Sequence, residues 1–281
     1  MNGRLALTLL KVLPRNALSR AVGGAVRGPW PRAMHRLSIR TFVKLYGIET
    51  GEIARDPADF PTFGEFFIRE LQPGAREIEG GPGTPVSPCD GTVGAFGRIE
   101  DGQLIQAKGR TYPLDRFLGG EGREVPFLEG HFLTIYLSPR NYHRVHAPLA
   151  GRISEAVHVP GTLWPVFPAA VDTLDELFVA NERLLTFLES DRGAVCVAMV
   201  GATCVGRMRA SFDEIVTNVP GPPVARRYDD GRALERGAEL GIFEMGSTVV
   251  LLLSKEHGAL DPGLAPGQPI RLGQRIGSPA S

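Results

Sequence analysis

From residue 86 onward the sequence contains short apolar runs with frequent glycines between them. Six of these runs have strand length and are rich in Val, Ile, Leu and Phe, so they predict β-strands. The predicted strands are 86–93, 132–137, 153–159, 184–188, 194–205 and 248–253. The turn at 190–193 joins two of them at hairpin spacing. The pattern therefore predicts an α+β fold: a mostly antiparallel β sandwich or partly open barrel, with a few helices and an N-terminal amphipathic helical arm.

Helical signals lie upstream of the strands. Thr62 and Glu65 form a capping box, which predicts a short helix ending near Pro73-Gly74. The apolar run at residues 5–13 is shorter than the roughly 20 residues that a membrane-spanning helix needs. Lys11 within that run argues against a cleaved export signal.

An amphipathic pattern follows in the N-terminal arm. Trp30, Ala33, Met34 and Leu37 recur at helical spacing, with arginines between them. This arrangement is typical of a helix lying in the membrane interface. A helix that buries its apolar stripe against the protein body has the same pattern. Both interpretations remain open from the sequence.

The charges are segregated along the chain, although its net charge is zero. Residues 1–50 contain nine Lys or Arg and a single acid, Glu49, so the remaining 231 residues carry a net negative charge of equal size. A basic arm on an acidic body predicts an anionic surface as partner. We expect no nucleic-acid partner, because no recognised binding motif accompanies these bases. The sequence predicts two segments, a membrane-docking arm at 1–50 and a catalytic domain at 51–281.

The pair Gly246-Ser247 stands directly before the apolar run 248–253. Glycine allows strained backbone angles and close approach to its carbonyl, which here lies next to a nucleophilic hydroxyl. Attack of the Ser247 hydroxyl on the Gly246 carbonyl would convert the peptide to an ester, and β-elimination would then break the chain. A simple Gly-Ser turn into a buried strand gives the same sequence.

Three residues are candidates to activate Ser247. Asp90 lies in an Asp-Gly turn, and His143 and His146 follow a predicted strand. A carboxylate that orients an imidazole, which in turn takes a serine proton, is the arrangement of a catalytic triad. Asp-Gly pairs are also ordinary turns.

Other site chemistries receive less support. Two histidines three residues apart also occur in metal sites, but no Cys pair or Glu lies close by in the sequence, so we expect no metal. Cys89, Cys196 and Cys204 have no metal or redox spacing, which favours free thiols in a reducing compartment. Ser247 lacks the Gly-x-Ser-x-Gly motif of α/β-hydrolases.

Together these residues resemble phosphatidylserine decarboxylase of the bacterial and mitochondrial type. The resemblance extends over most of the chain, and its matching segments occur in the family's order. They are 62–76, 87–91, 108–109, 142–148, 160–161, 181–183, 200–203 and 246–248. Met245 replaces the leucine that usually precedes Gly-Ser-Thr, a change between apolar side chains of similar volume.

The resemblance implies a self-processing enzyme with a covalent pyruvoyl cofactor and no pyridoxal phosphate. Cleavage would give a β chain of residues 1–246 and an α chain of residues 247–281, whose first residue, Ser247, becomes the pyruvoyl group. Asp90, His146 and Ser247 would form the processing triad. His143 would assist decarboxylation or the later protonation. The family's apolar substrate-binding segment would contain Leu163, Trp164 and Val166.

The resemblance also implies the reaction and the location. The pyruvoyl ketone would form a Schiff base with the amine of phosphatidylserine and act as electron sink, so that CO2 and phosphatidylethanolamine are released. We expect the protein to be peripheral on the cytoplasmic face of the cell membrane, to bind anionic lipid and to form a homo-oligomer. The alternatives are a pyruvoyl-dependent decarboxylase of a soluble amino acid and a non-catalytic membrane-binding module.

Overall fold

Antiparallel strands dominate the structure, a computed structural model that describes residues 15–28, 30–203, 207–244 and 248–278. The helices are α1 (Arg15–Arg27), α2 (Arg32–Tyr46), α3 (Phe63–Phe67), α4 (Leu114–Phe117), α5 (Pro168–Val171) and α6 (Leu177–Ala180). The strands are β1 (Gly91–Arg98), β2 (Gln103–Ala107), β3 (Arg110–Pro113), β4 (His131–Tyr136), β5 (Arg144–His146), β6 (Gly151–Val159), β7 (Arg183–Ser190), β8 (Gly193–Val200), β9 (Met208–Ala210), β10 (Ala225–Leu234), β11 (Glu239–Phe243), β12 (Thr248–Leu253) and β13 (Pro269–Ile270). Short 3₁₀ turns span Thr50–Glu52, Pro57–Asp59, Val125–Phe127 and Lys255–His257.

Eight strands form one large antiparallel sheet. Its order is β10-β6-β7-β8-β12-β4-β1-β13, while β5-β11-β9 form a second sheet and β2-β3 a hairpin. All six residues of β12 are buried, because this strand lies between β8 and β4 and is covered on both faces. A continuous apolar run, rather than an alternating one, is typical of such a strand.

The two faces of the large sheet contact different layers. Val249 and Leu251 pack with Val145 and Phe243 of the second sheet, β5-β11-β9. Val250 and Leu252 on the opposite face pack with the layer that contains Phe178 of α6 and the β2-β3 hairpin. The predicted α+β fold is confirmed: the described residues form a mostly antiparallel sandwich with a few helices.

Some predicted boundaries are wrong. The first strand begins at Gly91 rather than at residue 86, because the backbone of residues 86–88 bonds to other loops, for example from Ser87 N to the Gln274 carbonyl at 2.8 Å. Thr62 caps α3 as predicted, accepting from Glu65 N at 3.1 Å, but the helix ends at Phe67. The hairpin at 190–193 is confirmed by the pairing of β7 with β8.

The helix predicted in the arm is α2, and it exposes the apolar stripe. Met34 is 53% and Leu37 66% exposed, whereas His35 and Ile39 are buried against the body. The interpretation that Met34 and Leu37 pack on the body is therefore wrong. Residues 5–13 lie outside the described residues. None of the helices in the described ranges is long and apolar enough to cross a membrane.

Candidate active site

The site lies where β12 enters the large sheet. Gly246 and Ser247 fall outside the described residues, and the chain on either side of them is anchored. Thr248 pairs with Tyr136 of β4 and with Val200 of β8. On the other side, Phe243 N donates to the carbonyl of His143 at 2.9 Å. The described residues on either side of the predicted cleavage site are thus attached to the large sheet and to the stretch that carries both candidate histidines.

His143 is completely buried, and its ring packs against that of Phe67 with centroids 4.1 Å apart and planes tilted by 35°. Neither ring nitrogen has a hydrogen-bond partner among the described residues. Burial, followed by the nearby Arg69 cation, lowers the pKa of His143 well below its ordinary value of 6.5. The imidazole is therefore neutral at physiological pH. Buried polar groups without a partner are rare and often functional, which fits a ring that contacts substrate.

Arg69 fixes the loop that leads to His143. Its Nη2 donates to the carbonyls of Arg140 and Asn141 at 2.8 and 3.1 Å. The guanidinium lies over the ring of Phe66, 5.2 Å from its centroid, and burial lowers the pKa of Arg69 to about 10. Helix α3 and Arg69 together hold His143 in place.

His146 belongs to β5 and has a partner for each ring nitrogen. Nδ1 lies 2.8 Å from the carbonyl oxygen of Gly237, and Nε2 lies 3.3 Å from the Tyr142 hydroxyl. Because a carbonyl can only accept, Nδ1 carries the proton and Nε2 of the neutral ring is the basic nitrogen. Burial lowers the pKa of His146, which keeps Nε2 unprotonated. This ring is suited to act as a general base.

Asp90 is buried close by but has other hydrogen-bond partners. Arg76 donates to both carboxylate oxygens, from Nε at 2.9 Å and from Nη2 at 2.6 Å, and Leu272 N donates at 2.8 Å. No hydrogen bond joins Asp90 to His146 within the described ranges. The link runs through backbone, since His146 N donates to the Pro88 carbonyl at 2.8 Å.

The predicted substrate segment lies on the other side of β12. Leu163 is fully buried and Trp164 half-buried. Asn181 binds the backbone of Trp164 twice, accepting from its N–H at 2.8 Å and donating to its carbonyl at 2.9 Å. Val166 and Thr248 line the same apolar cavity of about 570 Å³. The structure thus places part of this segment beside the residue that follows Ser247.

The apolar cavity is bordered by the β2-β3 hairpin and by the loop after α5. Its walls include Phe96, Ile105 and Phe178. Lys108 and Asp172, which also line it, form an ion pair at 2.7 Å. Mostly apolar walls with a few polar groups are typical of a small-molecule or lipid site.

The described part of the chain contains neither a metal site nor a disulfide. No group of three His, Cys, Asp or Glu there is arranged to hold a metal ion. Cys89 and Cys196 are buried free thiols. Cys204 lies outside the described residues.

Several residues of the site escaped the sequence analysis. Tyr142, Arg76, Arg69 and Asn181 belong to segments that carry the resemblance, but their contacts require the fold. No sequence motif indicated Gly237, because it lies 91 residues from its partner His146 in the chain.

One buried and one half-buried histidine, a buried carboxylate and an apolar cavity at the start of a central strand are typical of an enzyme active site. The family model described as phosphatidylserine decarboxylase matches residues 63–278. The chain belongs to this family, and the resemblance seen in its sequence is confirmed.

Relatives named phosphatidylserine decarboxylase proenzyme are similar over their whole length. The one from Myxococcus xanthus is 44% identical over 277 residues, 99% of each chain. The one from Anaeromyxobacter sp. (strain K) is 47% identical over 283 residues, 100% of each chain. A third, from Brevibacillus brevis, is 39% identical over 279 residues, 98% of each chain.

Proposed function

We propose that the chain is a self-processing, pyruvoyl-dependent phosphatidylserine decarboxylase that produces phosphatidylethanolamine and CO2. Family membership over nearly the whole chain supports the proposal, and the word proenzyme in the relatives' names implies a precursor that is processed. The observation that carries it is the hydrogen bond from Phe243 N to the His143 carbonyl. This bond attaches the chain leading to Gly246-Ser247 to the stretch with both histidines.

Self-cleavage begins at Ser247. His146 Nε2 takes the hydroxyl proton, Oγ attacks the Gly246 carbonyl carbon, and the peptide C–N bond breaks as the ester forms, with His146 returning the proton to the leaving amine of Ser247. Loss of the Cα proton and of the Cβ–O bond then leaves a carboxylate on Gly246 and a dehydroalanine at 247. Addition of water and loss of ammonia give the pyruvoyl group. The products are the chains 1–246 and 247–281.

Asp90 is the third proposed member of the processing triad. Its carboxylate is held by Arg76 and by the backbone of Leu272. The Pro88 carbonyl of the same loop receives the His146 N–H. Asp90 therefore orients His146 by fixing this loop, while the Gly237 carbonyl fixes the ring tautomer.

The pyruvoyl ketone supplies the electron sink that loss of CO2 from an amino acid requires. The residues present fit such a group, since His143 and the Thr248 hydroxyl are buried polar groups without partners in the described structure. His143 contacts the substrate carboxylate and assists its loss or the later protonation of the product. The half-buried Trp164 and the buried Leu163 and Val166 form the substrate wall.

A lipid substrate accounts for two further features. The cavity of about 570 Å³ beside Thr248 suits an acyl chain. Helix α2 exposes Met34, Leu37 and Leu45, and basic residues lie between them at Arg36, Arg40 and Lys44. Each such base adds about 1 kcal/mol of attraction near an anionic leaflet.

We therefore infer that the arm, residues 1–50, docks the catalytic domain, residues 51–281, on the cytoplasmic face of the cell membrane. Anionic phosphatidylserine is both substrate and docking partner. The expected homo-oligomer stays a prediction.

Intact mass under denaturing conditions tests self-processing. We expect two wild-type fragments divided between Gly246 and Ser247, the smaller with the mass of a pyruvoyl terminus. Ser247→Ala should remain whole. A wild-type chain that stays whole after long incubation would overturn the proposal and favour a non-catalytic membrane-binding module.

Substrate class is tested separately on processed protein. CO2 release from dispersed phosphatidylserine, and not from free serine, is the expected result. Release from free serine at the same rate would favour a decarboxylase of a soluble amino acid.

A further inference from the structure

The first residues of α1 lie across the outer side of the substrate segment. The Arg15 guanidinium stacks over Trp164, 3.6 Å from the ring centroid, and its Nε donates to Thr162 Oγ1 at 3.0 Å. Asn16 Nδ2 donates to the Gly161 carbonyl at 3.0 Å. Among the described residues, Arg15 and Asn16 at the start of α1 therefore contact this segment through a cation over the Trp164 ring and through hydrogen bonds to Thr162 and Gly161.

The inner side of the segment is held by a different element. Asn181, fully buried, binds both backbone groups of Trp164 and also donates to the Gly201 carbonyl at 2.8 Å. A Cβ on Gly161 would lie 2.5 Å from the Asn181 carbonyl carbon, so only glycine allows this close approach. Asn181 fixes the backbone, but the outer face of the Trp164 ring is covered by Arg15.

The far end of α1 reaches the segment before the proposed cleavage site. Arg27, its last residue, forms an ion pair with Glu244, whose other oxygen lies 3.2 Å from Arg207 Nε. Helix α1 is thus attached at one end to the substrate segment and at the other to the strand end that precedes Gly246. A helix that served only as a membrane anchor would not need these two contacts with the rest of the protein.

We propose that Arg15 and Asn16 are positioning residues for decarboxylation, which hold Trp164 and its loop in the wall of the substrate site. This proposal rests on the proposed function, since it assigns the segment 161–164 to substrate. The N-terminal helix is then part of the active site. Helix α2, which exposes the apolar stripe, begins only a few residues after α1 ends. The helix that would contact the lipid surface therefore follows directly on the helix that holds the substrate segment.

The kinetic test uses processed protein and a short-chain phosphatidylserine below its micellar concentration, so that membrane binding plays no part. Arg15→Ala should lower kcat/KM about tenfold, mainly through KM, because the lost stack and hydrogen bond act on substrate binding. Asn16→Ala should give a smaller loss of the same kind. Fragment formation should be as complete as in the wild type. Arg227→Ala, at a side chain 82% exposed on β10, is the charge-matched control.

Arg15→Lys separates positioning from charge. Lysine keeps the charge of the arm, but it cannot stack as a plane and donate from Nε together. It should therefore bind anionic vesicles like the wild type and still lose activity on the soluble substrate. Wild-type kcat/KM in Arg15→Ala and in Asn16→Ala would overturn the proposal.

Trp164 fluorescence gives a readout that does not depend on activity. The chain has two tryptophans, so Trp30→Phe leaves Trp164 as the only reporter. In that background Arg15→Ala should increase quenching by acrylamide, because the ring loses its cover. Unchanged quenching would contradict the stacked arrangement. A failure of the proposed function differs from both outcomes, since the wild type itself would then be uncut or inactive.

Discussion

The Nδ1 of His146 and the carbonyl oxygen of Gly237 lie 2.8 Å apart. Gly237 has a φ of +82°, and a Cβ there would come within 2.8 Å of Ile78 Cδ1. Only glycine brings this carbonyl to the ring without strain. The contact determines which nitrogen of His146 is basic, and it leaves Nε2 facing the Tyr142 hydroxyl.

Removing that hydroxyl should slow self-cleavage. In Tyr142→Phe the His146 ring loses its contact at Nε2, and we expect a rate about fivefold lower, the effect of one hydrogen bond. The rate of self-cleavage is measured by following fragment formation over time after cell-free synthesis. Tyr112→Phe is the matched control, because the buried Tyr112 hydroxyl has no hydrogen-bond partner among the described residues. Equal rates in the two variants would contradict the positioning role of Tyr142.

Breaking the Asp90–Arg76 pair should destabilise the fold. The side chains are only 9% and 10% exposed, and removing one partner leaves an unpaired buried charge. We expect Arg76→Met to lower the free energy of unfolding by about 3 kcal/mol, measured by urea denaturation of the uncut Ser247→Ala background. Arg98→Met, whose pair with Glu129 is exposed, should change it by less than about 1 kcal/mol.

Asp90→Asn in the otherwise wild-type chain separates two roles. If Asp90 acts by fixing the loop, slower cleavage should accompany lower stability. Lost cleavage at unchanged stability would instead place its carboxylate directly in proton transfer.

The two histidines should have separable roles. His146→Gln should leave the chain uncut, because the general base is lost. His143→Gln should be cut and yet release CO2 at least about 100-fold more slowly, the usual contribution of acid-base catalysis. Intact mass and CO2 release from the same preparation measure both. An uncut His143→Gln chain that is folded would contradict the division.

The free energy of unfolding should decrease at acidic pH because of His143. Its pKa is lowered in the folded protein but stays near 6.5 when the chain unfolds, so the unfolded state binds more protons at lower pH. The stability associated with the neutral ring is therefore fully present above about pH 6.5 and is lost as the pH falls from there toward the lowered folded pKa. His143→Gln should lose less unfolding free energy between pH 7 and pH 5 in denaturant titrations. A fall as steep as in the wild type would contradict this explanation.

The exposed stripe of α2 should determine membrane binding. Replacing Met34 and Leu37 together by Glu should weaken binding to anionic vesicles at least about tenfold, since two apolar side chains are kept from the interface and two negative charges are added. Vesicle sedimentation measures it. Val125→Glu, at a residue 61% exposed outside the arm, should bind like the wild type. If the Met34/Leu37 variant binds anionic vesicles as strongly as the wild type, the proposed docking role of α2 is contradicted.

Elements with strong local signals were predicted from the sequence. Strand β12 is a continuous apolar run, and the turn at 190–193 joins β7 and β8, because the side-chain pattern of each is set by neighbours close in the chain. The short strands β5, β9 and β11 were missed, since each has five residues or fewer and is stabilised by partners far along the sequence.

The sequence by itself determined the fold class, the family, and the residues Asp90, His143, His146 and Ser247 as candidates, because apolar periodicity and ordered motifs are properties of the chain. Tertiary structure decided what each described candidate contacts. Asp90 binds Arg76, His146 faces Gly237 and Tyr142, and Trp164 lies under Arg15. Hydrogen bonds, burial and pKa depend on groups brought within a few ångströms of one another, and only the folded sheets bring residues so distant in sequence together.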